Sequence, residues 1–235
     1  MRKLFLTGLT LTGGILLLKR LRRRAPIALQ DKVVIVTGAS EGIGRATALA
    51  FAAAGANVVA AARNAQRLQE LEVRYPSIKS IPADLTDDAT LENLITTTMQ
   101  TYGRIDILVN NAGYARGGPL EELAPEALHR ILHTNLHGMF RLTQLVLPIM
   151  YQQHSGHIIN ISSGAANINF PGLSVYSATK AAIVTFSNCT RREVLNSGIT
   201  VSTVLPGAVR TASRLSSRWT RSRTRRTPSS RRQRR

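Results

Sequence analysis

Through the middle of the chain, short runs of apolar and β-branched residues alternate with stretches whose apolar positions recur at helical spacing. "KVVIVTG" at 32–38 predicts a strand, and a helical pattern follows from Ile43 to Ala54 and closes at Gly55. "NVVAAA" at 57–62 predicts a second strand, and "AQRLQELEVR" at 65–74 a helix with Leu68 and Leu71 on one face. "IKSIPA" at 78–83 is a weaker strand. Beyond it Thr86 is the expected N-cap of a helix reaching Tyr102, with Asp87 and Asp88 in its first turn. The pattern then predicts a strand at 104–110, a long helix over 125–152, a strand at 156–162, a helix over 174–196 and a last strand at 199–207. The strand runs are continuously apolar, as befits strands covered by helices on both faces of a parallel sheet. The expected fold is therefore α/β: one domain built on a doubly wound parallel sheet with right-handed crossovers. No internal repeat is visible.

Ligands of such sheets bind beyond the C-terminal ends of the strands, where strand order reverses. "TGASEGIG" at 37–44 lies at the first of these ends. Gly38 permits a tight turn, Gly42 lets backbone approach a pyrophosphate, and Gly44 lets the helix sit close to the sheet. The helix N-terminus then offers unpaired N–H groups to phosphate oxygens. A strand, this turn and a helix in succession form the Rossmann-like context of a dinucleotide site. Thr37, Gly38, Ser40, Glu41, Gly42, Ile43 and Gly44 are its candidate contacts. An acid about 20 residues on would bind the adenosine ribose of NAD. Here Ala62 stands in that place and Arg63 follows. A guanidinium matches a 2′-phosphate and no carboxylate repels it, which favours NADP(H) over NAD(H). The bland alternative for Arg63 is a solvated charge.

"YSATK" at 176–180 places Tyr176 and Lys180 four residues apart on a predicted helix, hence on one face. A free phenol ionises at a pKa of about 10 and is a poor base at neutral pH. A nearby ammonium favours the phenolate, so the pair suits proton exchange with an alcohol or carbonyl oxygen. Taken alone, such a pair is more often structural. "NISSG" at 160–164 adds Ser162 and Ser163 at the end of the fifth strand, and "NNAG" at 110–113 closes the fourth. His129, His133 and His137 recur every four residues in the long helix. They read as partly exposed helix residues, and no metal is expected.

In order and spacing, "TGASEGIG", "NNAG", the serine before "YSATK" and "PGAVRT" at 206–211 resemble the short-chain dehydrogenase/reductase family, classical type, over residues 30–211. The resemblance implies an NAD(P)-dependent oxidoreductase acting on an alcohol or ketone. It implies Tyr176 as acid/base and Lys180 as the residue that lowers its pKa and binds the nicotinamide ribose. Ser163 would orient the substrate oxygen, with Ser162 the lesser choice. Asn135 would support a water-linked proton relay. Asp84 and Leu85 would contact the adenine. Asn111, Ala112 and Gly113 would line the cofactor and brace the sheet. Pro206, Gly207, Val209 and Thr211 would pack on the nicotinamide. A homo-oligomer would form through the long helices.

Charge adds little to the middle and much to the ends. The net charge is +18, yet residues 25–213 hold 14 basic and 13 acidic side chains. The remaining cations lie in residues 1–24, with seven, and 214–235, with ten arginines. The middle thus gives no electrostatic case for a nucleic-acid partner. Leu4–Leu18 is a 15-residue run without charge, flanked by two cations before it and five after. It reads as a membrane anchor that keeps the domain on the cytoplasmic side, or as an extension lying on an anionic surface. A soluble, cytoplasmic protein is the other reading. The arginine tail has too little apolar area to offset chain entropy, so disorder is expected there.

Three segments result: 1–27 apolar and basic, 28–213 the oxidoreductase domain, and 214–235 the tail. Where the tail stands, the family usually continues with a substrate loop, a helix and a seventh strand. A shifted reading frame or altered gene end is one reading of that change. The competing functional reading is an inactive relative whose basic ends bind membrane or nucleic acid. The lone Cys189, in an apolar helical pattern, reads as a small core residue.

Overall fold

The computed structural model describes residues 28–168, 170–207 and 209. The apolar N-terminal segment, Thr211 and the arginine tail lie outside the described residues. Six strands form one sheet: β1 (Val33–Thr37), β2 (Asn57–Ala62), β3 (Ile78–Pro82), β4 (Ile107–Asn110), β5 (Gly156–Ile161) and β6 (Ile199–Val204). All pair in parallel, in the order β3-β2-β1-β4-β5-β6. The order reverses between β1 and β4, so the binding crevice opens there.

Alternate residues of the same strands feed two cores. Ile35, Val59 and Leu108 pack with Leu91 and Leu94 of α3 (Asp88–Tyr102) and with Leu142 and Val146 of α5 (Gly138–Gln152). Val34, Val36, Val58 and Ala60 pack with Ala48 of α1 (Gly42–Ala53) and with Leu68 and Leu71 of α2 (Ala65–Arg74). This two-sided burial is why the strands read as unbroken apolar runs.

Four expectations need correction. The N-cap of α3 is Asp87, whose carboxylate accepts from Ala89 N–H at 3.1 Å. Thr86 instead donates its hydroxyl and N–H to Asp84, which competes successfully for it. The long helix over 125–152 is not uniform. It comprises α4 (Pro125–Leu132), a π-turn at His133–His137, and α5. The fourth strand begins at Ile107 rather than 104; ahead of it the backbone N–H and carbonyl of Ile105 bond the Gln153 side chain instead of a neighbouring strand. Cys189 is exposed. The buried stripe of α6 (Ser174–Glu193) runs through Ile183, Ser187 and Thr190, and position 189 is turned about 100° away from Thr190.

Asp106 clamps the N-terminal side of the sheet. It is 5% exposed and accepts from Val33 N–H at 3.0 Å, Lys32 Nζ at 3.2 Å, and Arg104 Nε at 2.8 Å. Burial pushes its carboxyl up, but the bonds from Arg104, Val33 and Lys32 outweigh this and hold it below the ordinary value. A depressed carboxyl contributes stability that is present above its unfolded pKa and lost as pH falls through the folded one. Asp106→Ala is expected to lower unfolding stability by about 2 kcal/mol at pH 7. The gap between variant and wild type should close below about pH 4. Urea titrations at both pH values check this.

Candidate active site

The turn after β1 is shaped by what its glycines touch. Gly38 has φ +66°, and a Cβ there would lie 2.9 Å from Ala112 Cα. A Cβ on Gly44 would overlap the Gly38 carbonyl, so α1 starts hard against the turn. Thr37 is fully buried and braces β1 to β4. Its hydroxyl donates to Val109 O at 3.2 Å and accepts from Asn111 N–H and Ala112 N–H, each at 3.0 Å. Asn111 Nδ2 donates back to Thr37 O at 2.8 Å.

Glu41 occupies the N-cap position of α1 but makes no side-chain cap hydrogen bond. Its carboxylate is turned to Arg67, at 2.5 Å. The first N–H groups of α1 are therefore left without a side-chain acceptor, and a cation offsets the one acid near them. That is a cradle suited to a phosphate. From this turn an open depression of about 790 Å³ runs along α1 and α2, lined by Ser40, Ile43, Ala46, Leu49, Arg67 and Val209 among others. Val209 thus reaches the glycine turn.

At the ends of β2 and β3 the exposed Arg63 acts on Asp84. Burial pushes the Asp84 carboxyl up, while the Thr86 N–H and hydroxyl and the charges of Arg63 and Arg130 hold it below the ordinary range. Arg130 lies over the Tyr114 ring, 4.4 Å from its centroid. Leu85 is buried and packs against the start of α5, where a Cβ on Gly138 would overlap it. The dinucleotide fits this half of the crevice: a glycine cradle, an uncapped helix N-terminus, and an acid and a cation at the far strand ends.

The other half holds Tyr176 and Lys180. α6 packs against β5, β6, α4 and the π-turn. In its first turns Tyr176 and Lys180 share a face, with Lys180 Nζ 5.8 Å from the Tyr176 ring centroid. Lys180 is 3% exposed, donates to Ile161 O at 2.9 Å, and is pushed down to about 8 by burial. A Cβ on Gly113 would lie 3.5 Å from Lys180 Nζ and 3.6 Å from Asn135 Oδ1, so both polar groups face the space at that glycine.

The two serines divide. Ser162 is buried and its hydroxyl donates to Lys180 O at 2.7 Å. Ser163 is half-buried and, among the described residues, only accepts, from Ala165 N–H at 3.1 Å, which leaves its own O–H to donate. Beyond it the Gly164–Ala166 turn packs on α6, and Gly164 N–H donates to Pro206 O at 2.9 Å. The segments of Ser163, Tyr176 and Pro206 are thereby joined.

Asn135 sits in the π-turn, 1% exposed, with both amide hydrogens engaged. Its Oδ1 accepts from Tyr114 N–H at 2.7 Å, and its Nδ2 donates to Tyr114 O and Thr179 Oγ1, each at 3.0 Å. Thr179 donates in turn to Tyr176 O at 2.7 Å. Sequence reasoning missed Thr179, Tyr114 and Arg130. For Thr179 a signal existed, since it directly precedes Lys180 on the helix. For the other two there was none. The three histidines gather no metal-binding cluster among the described residues. His137 pairs with Asp88 at 2.8 Å, and its ring lies 5.4 Å from that of His133.

A dinucleotide cradle and a Tyr–Lys pair facing each other across the C-terminal ends of β1, β4 and β5 define a nicotinamide-dependent type of site. Comparison with known proteins gives the family. The model of the short chain dehydrogenase family matches residues 32–221. The bovine dehydrogenase/reductase SDR family member 7B is 36% identical over 205 residues, 83% of this chain and 62% of that protein. A solved 3-ketoacyl-(acyl-carrier-protein) reductase from Brucella melitensis, complexed with NADH, is 28% identical with a TM-score of 0.77, covering 78% of each chain. A serine dehydrogenase complexed with NADP+ is 35% identical with a TM-score of 0.72, covering 74% of this chain and 71% of that one.

The chain belongs to the short-chain dehydrogenase/reductase family of oxidoreductases. The matched stretch spans less than two thirds of the bovine relative. No helix among the described residues is long and apolar enough to cross a membrane.

Proposed function

We propose that this protein transfers a hydride between NADP(H) and an alcohol or ketone, with Tyr176 as acid/base. One observation carries the reading: an ammonium buried in the site, Lys180, stands against the ring of Tyr176. The nicotinamide, when bound, supplies or accepts the hydride. In the reducing direction the carbonyl carbon takes the hydride and the oxygen takes the Tyr176 proton. Ser163 holds that oxygen with its free O–H. Lys180 favours the phenolate left behind, and Tyr176 is reprotonated from solvent along the Lys180 side of the site. Asn135 holds Tyr114 and Thr179 in place, and its Oδ1 keeps one lone pair for a water of the relay.

NADP(H) is the preferred form on two supports. No carboxylate ends β2, and Arg63 stands beside Asp84 with a second guanidinium, Arg130, acting on the same carboxylate. The known relatives include complexes with either cofactor, so the choice falls to these side chains.

The test is oxidation of NADPH and NADH by the full chain with a panel of ketones. Saturable NADPH oxidation is expected. Arg63→Glu should raise the KM for NADPH by about 10- to 100-fold, from loss of a charge-assisted bond, with little effect on NADH. Equal use of both cofactors by wild type and variant removes the NADP assignment. No oxidation with any ketone, in an enzyme that binds NADPH, removes the activity.

A further inference from the structure

We infer that Arg130 is a positioning residue of the reaction: its guanidinium, lying over the Tyr114 ring, fixes the two backbone groups that orient the Asn135 amide at the space it shares with Lys180. This rests on the reading of Tyr176 and Lys180 given above. The segment after β4, "GYARGG" at 113–118, contains three glycines and has little stiffness of its own. Tyr114 is its anchor. The Tyr114 backbone takes both ends of the Asn135 amide: its N–H donates to Oδ1 at 2.7 Å and its carbonyl accepts from Nδ2 at 3.0 Å. The half-buried ring lies under Arg130, 4.4 Å from Cζ to the centroid.

Tyr114 is thus gripped at two points. Arg130 belongs to α4, and Asn135 follows five residues later in the π-turn. Positions five apart lie about 140° apart round a regular α-helix, so a small group is not met by both. Tyr114 spans the gap, ring to Arg130 and backbone to Asn135. The consequence is felt at Gly113, where a Cβ would lie 3.5 Å from Lys180 Nζ and 3.6 Å from Asn135 Oδ1. The bond from Tyr114 N–H takes one lone pair of Oδ1 and so sets where the other points. On its far side the same amide donates to Thr179 Oγ1, and Thr179 donates to Tyr176 O. A tilt of Tyr114 therefore redirects the Asn135 amide beside Lys180 and Tyr176 without touching substrate or cofactor.

The guanidinium is available for this task. Arg130 is exposed and forms none of the ion pairs found among the described residues. Of the groups that hold the Asp84 carboxyl down, it has the smallest effect, behind Thr86 and Arg63. A cation over a phenol is drawn to the negative face of the ring, and the attraction is lost when the charge is removed. Service to the phosphate of the cofactor is the competing outcome.

The experiment uses the full chain, NADPH and the ketone of the panel that is reduced fastest. In Arg130→Met kcat is expected to fall about 2- to 5-fold, the size of a cation–π contact at an exposed site, with KM for NADPH unchanged. Arg130→Lys keeps a cation and should recover most of the loss. Tyr114→Phe keeps the ring and should match the wild type, whereas Tyr114→Leu should fall as Arg130→Met does. The double variant Arg130→Met/Tyr114→Leu should fall no further than Tyr114→Leu. An unchanged kcat in Arg130→Met overturns the inference, as do additive losses in the double variant. A loss confined to KM for NADPH overturns it in favour of the cofactor role. Lack of turnover with every ketone counts against the reading of the site rather than against Arg130, and hydrogen exchange at the Tyr114 amide then decides. Faster exchange in Arg130→Met than in the wild type and Arg130→Lys supports the inference. Equal exchange in all three overturns it.

Discussion

Tyr176→Phe is expected to lower kcat by about 10³-fold while NADPH binds as in the wild type. The phenol ring stays in the first turns of α6, over Lys180, and only the proton is removed. The chemistry then lacks the group that gives the carbonyl oxygen its proton. Nothing else nearby can replace it. Ser162 is tied to Lys180 O, and Ser163 is an alcohol without a base at hand. Thr179 donates to the Tyr176 carbonyl. Steady-state rates with NADPH fluorescence titration check both halves of the expectation. A variant that binds NADPH and keeps more than a tenth of wild-type kcat would falsify the assignment.

Lys180→Met is expected to stabilise the free protein while it disables the enzyme. Lys180 is enclosed, with one carbonyl as its hydrogen-bond partner, and burial lowers its pKa from 10.5 to about 8. Below pH 8 the folded protein must carry a poorly solvated ammonium, so this group opposes folding at neutral pH. Its sign is the reverse of a lysine that has gained a partner. Between about pH 8 and pH 10.5 the unfolded chain holds the proton and the folded chain has released it, so wild-type stability rises with pH through this window.

The penalty at pH 7 is on the order of 3 kcal/mol by the size of the shift. A methionine of similar length removes it. The cofactor-free variant should melt several degrees above wild type at pH 7, and the gap should narrow at pH 9.5. Its kcat should fall by about 10²-fold or more, because nothing else favours the phenolate. Thermal unfolding at the two pH values, with turnover at pH 7, tests the pair of effects. A variant less stable than wild type at pH 7 would show that the ammonium is well solvated after all. Both effects together would mark Lys180 as a place where stability is given up for function.

Much of the domain was legible because its signals are short-range. The strand at 57–62 and the helix at 65–74 follow from runs of neighbouring residues, and the structure has them at the same bounds. The glycine turn and the four-residue spacing of Tyr176 and Lys180 are equally local. Errors arose where local options compete. Thr86 and Asp87 both can cap a helix, and Asp84, two residues before Thr86, decided between them. Asn135 lies in a π-turn that no period in the sequence announces. Its three hydrogen bonds run to Tyr114 and Thr179, which are 21 and 44 residues away.

The amino-acid sequence alone determined the parallel α/β order, the glycine turn after the first strand, and the shared face of Tyr176 and Lys180. Each of these depends on residues within a few positions of one another. Only the tertiary structure decided which polar groups are already taken. Thr37 and Ser162 are engaged by partners 74 and 18 residues distant, while Ser163 keeps its proton free. It alone, too, brought Arg130 toward Asp84, exposed Cys189 and enclosed Lys180. A side chain's chemistry depends on what surrounds it, and those surroundings are assembled from strands and helices far apart along the chain.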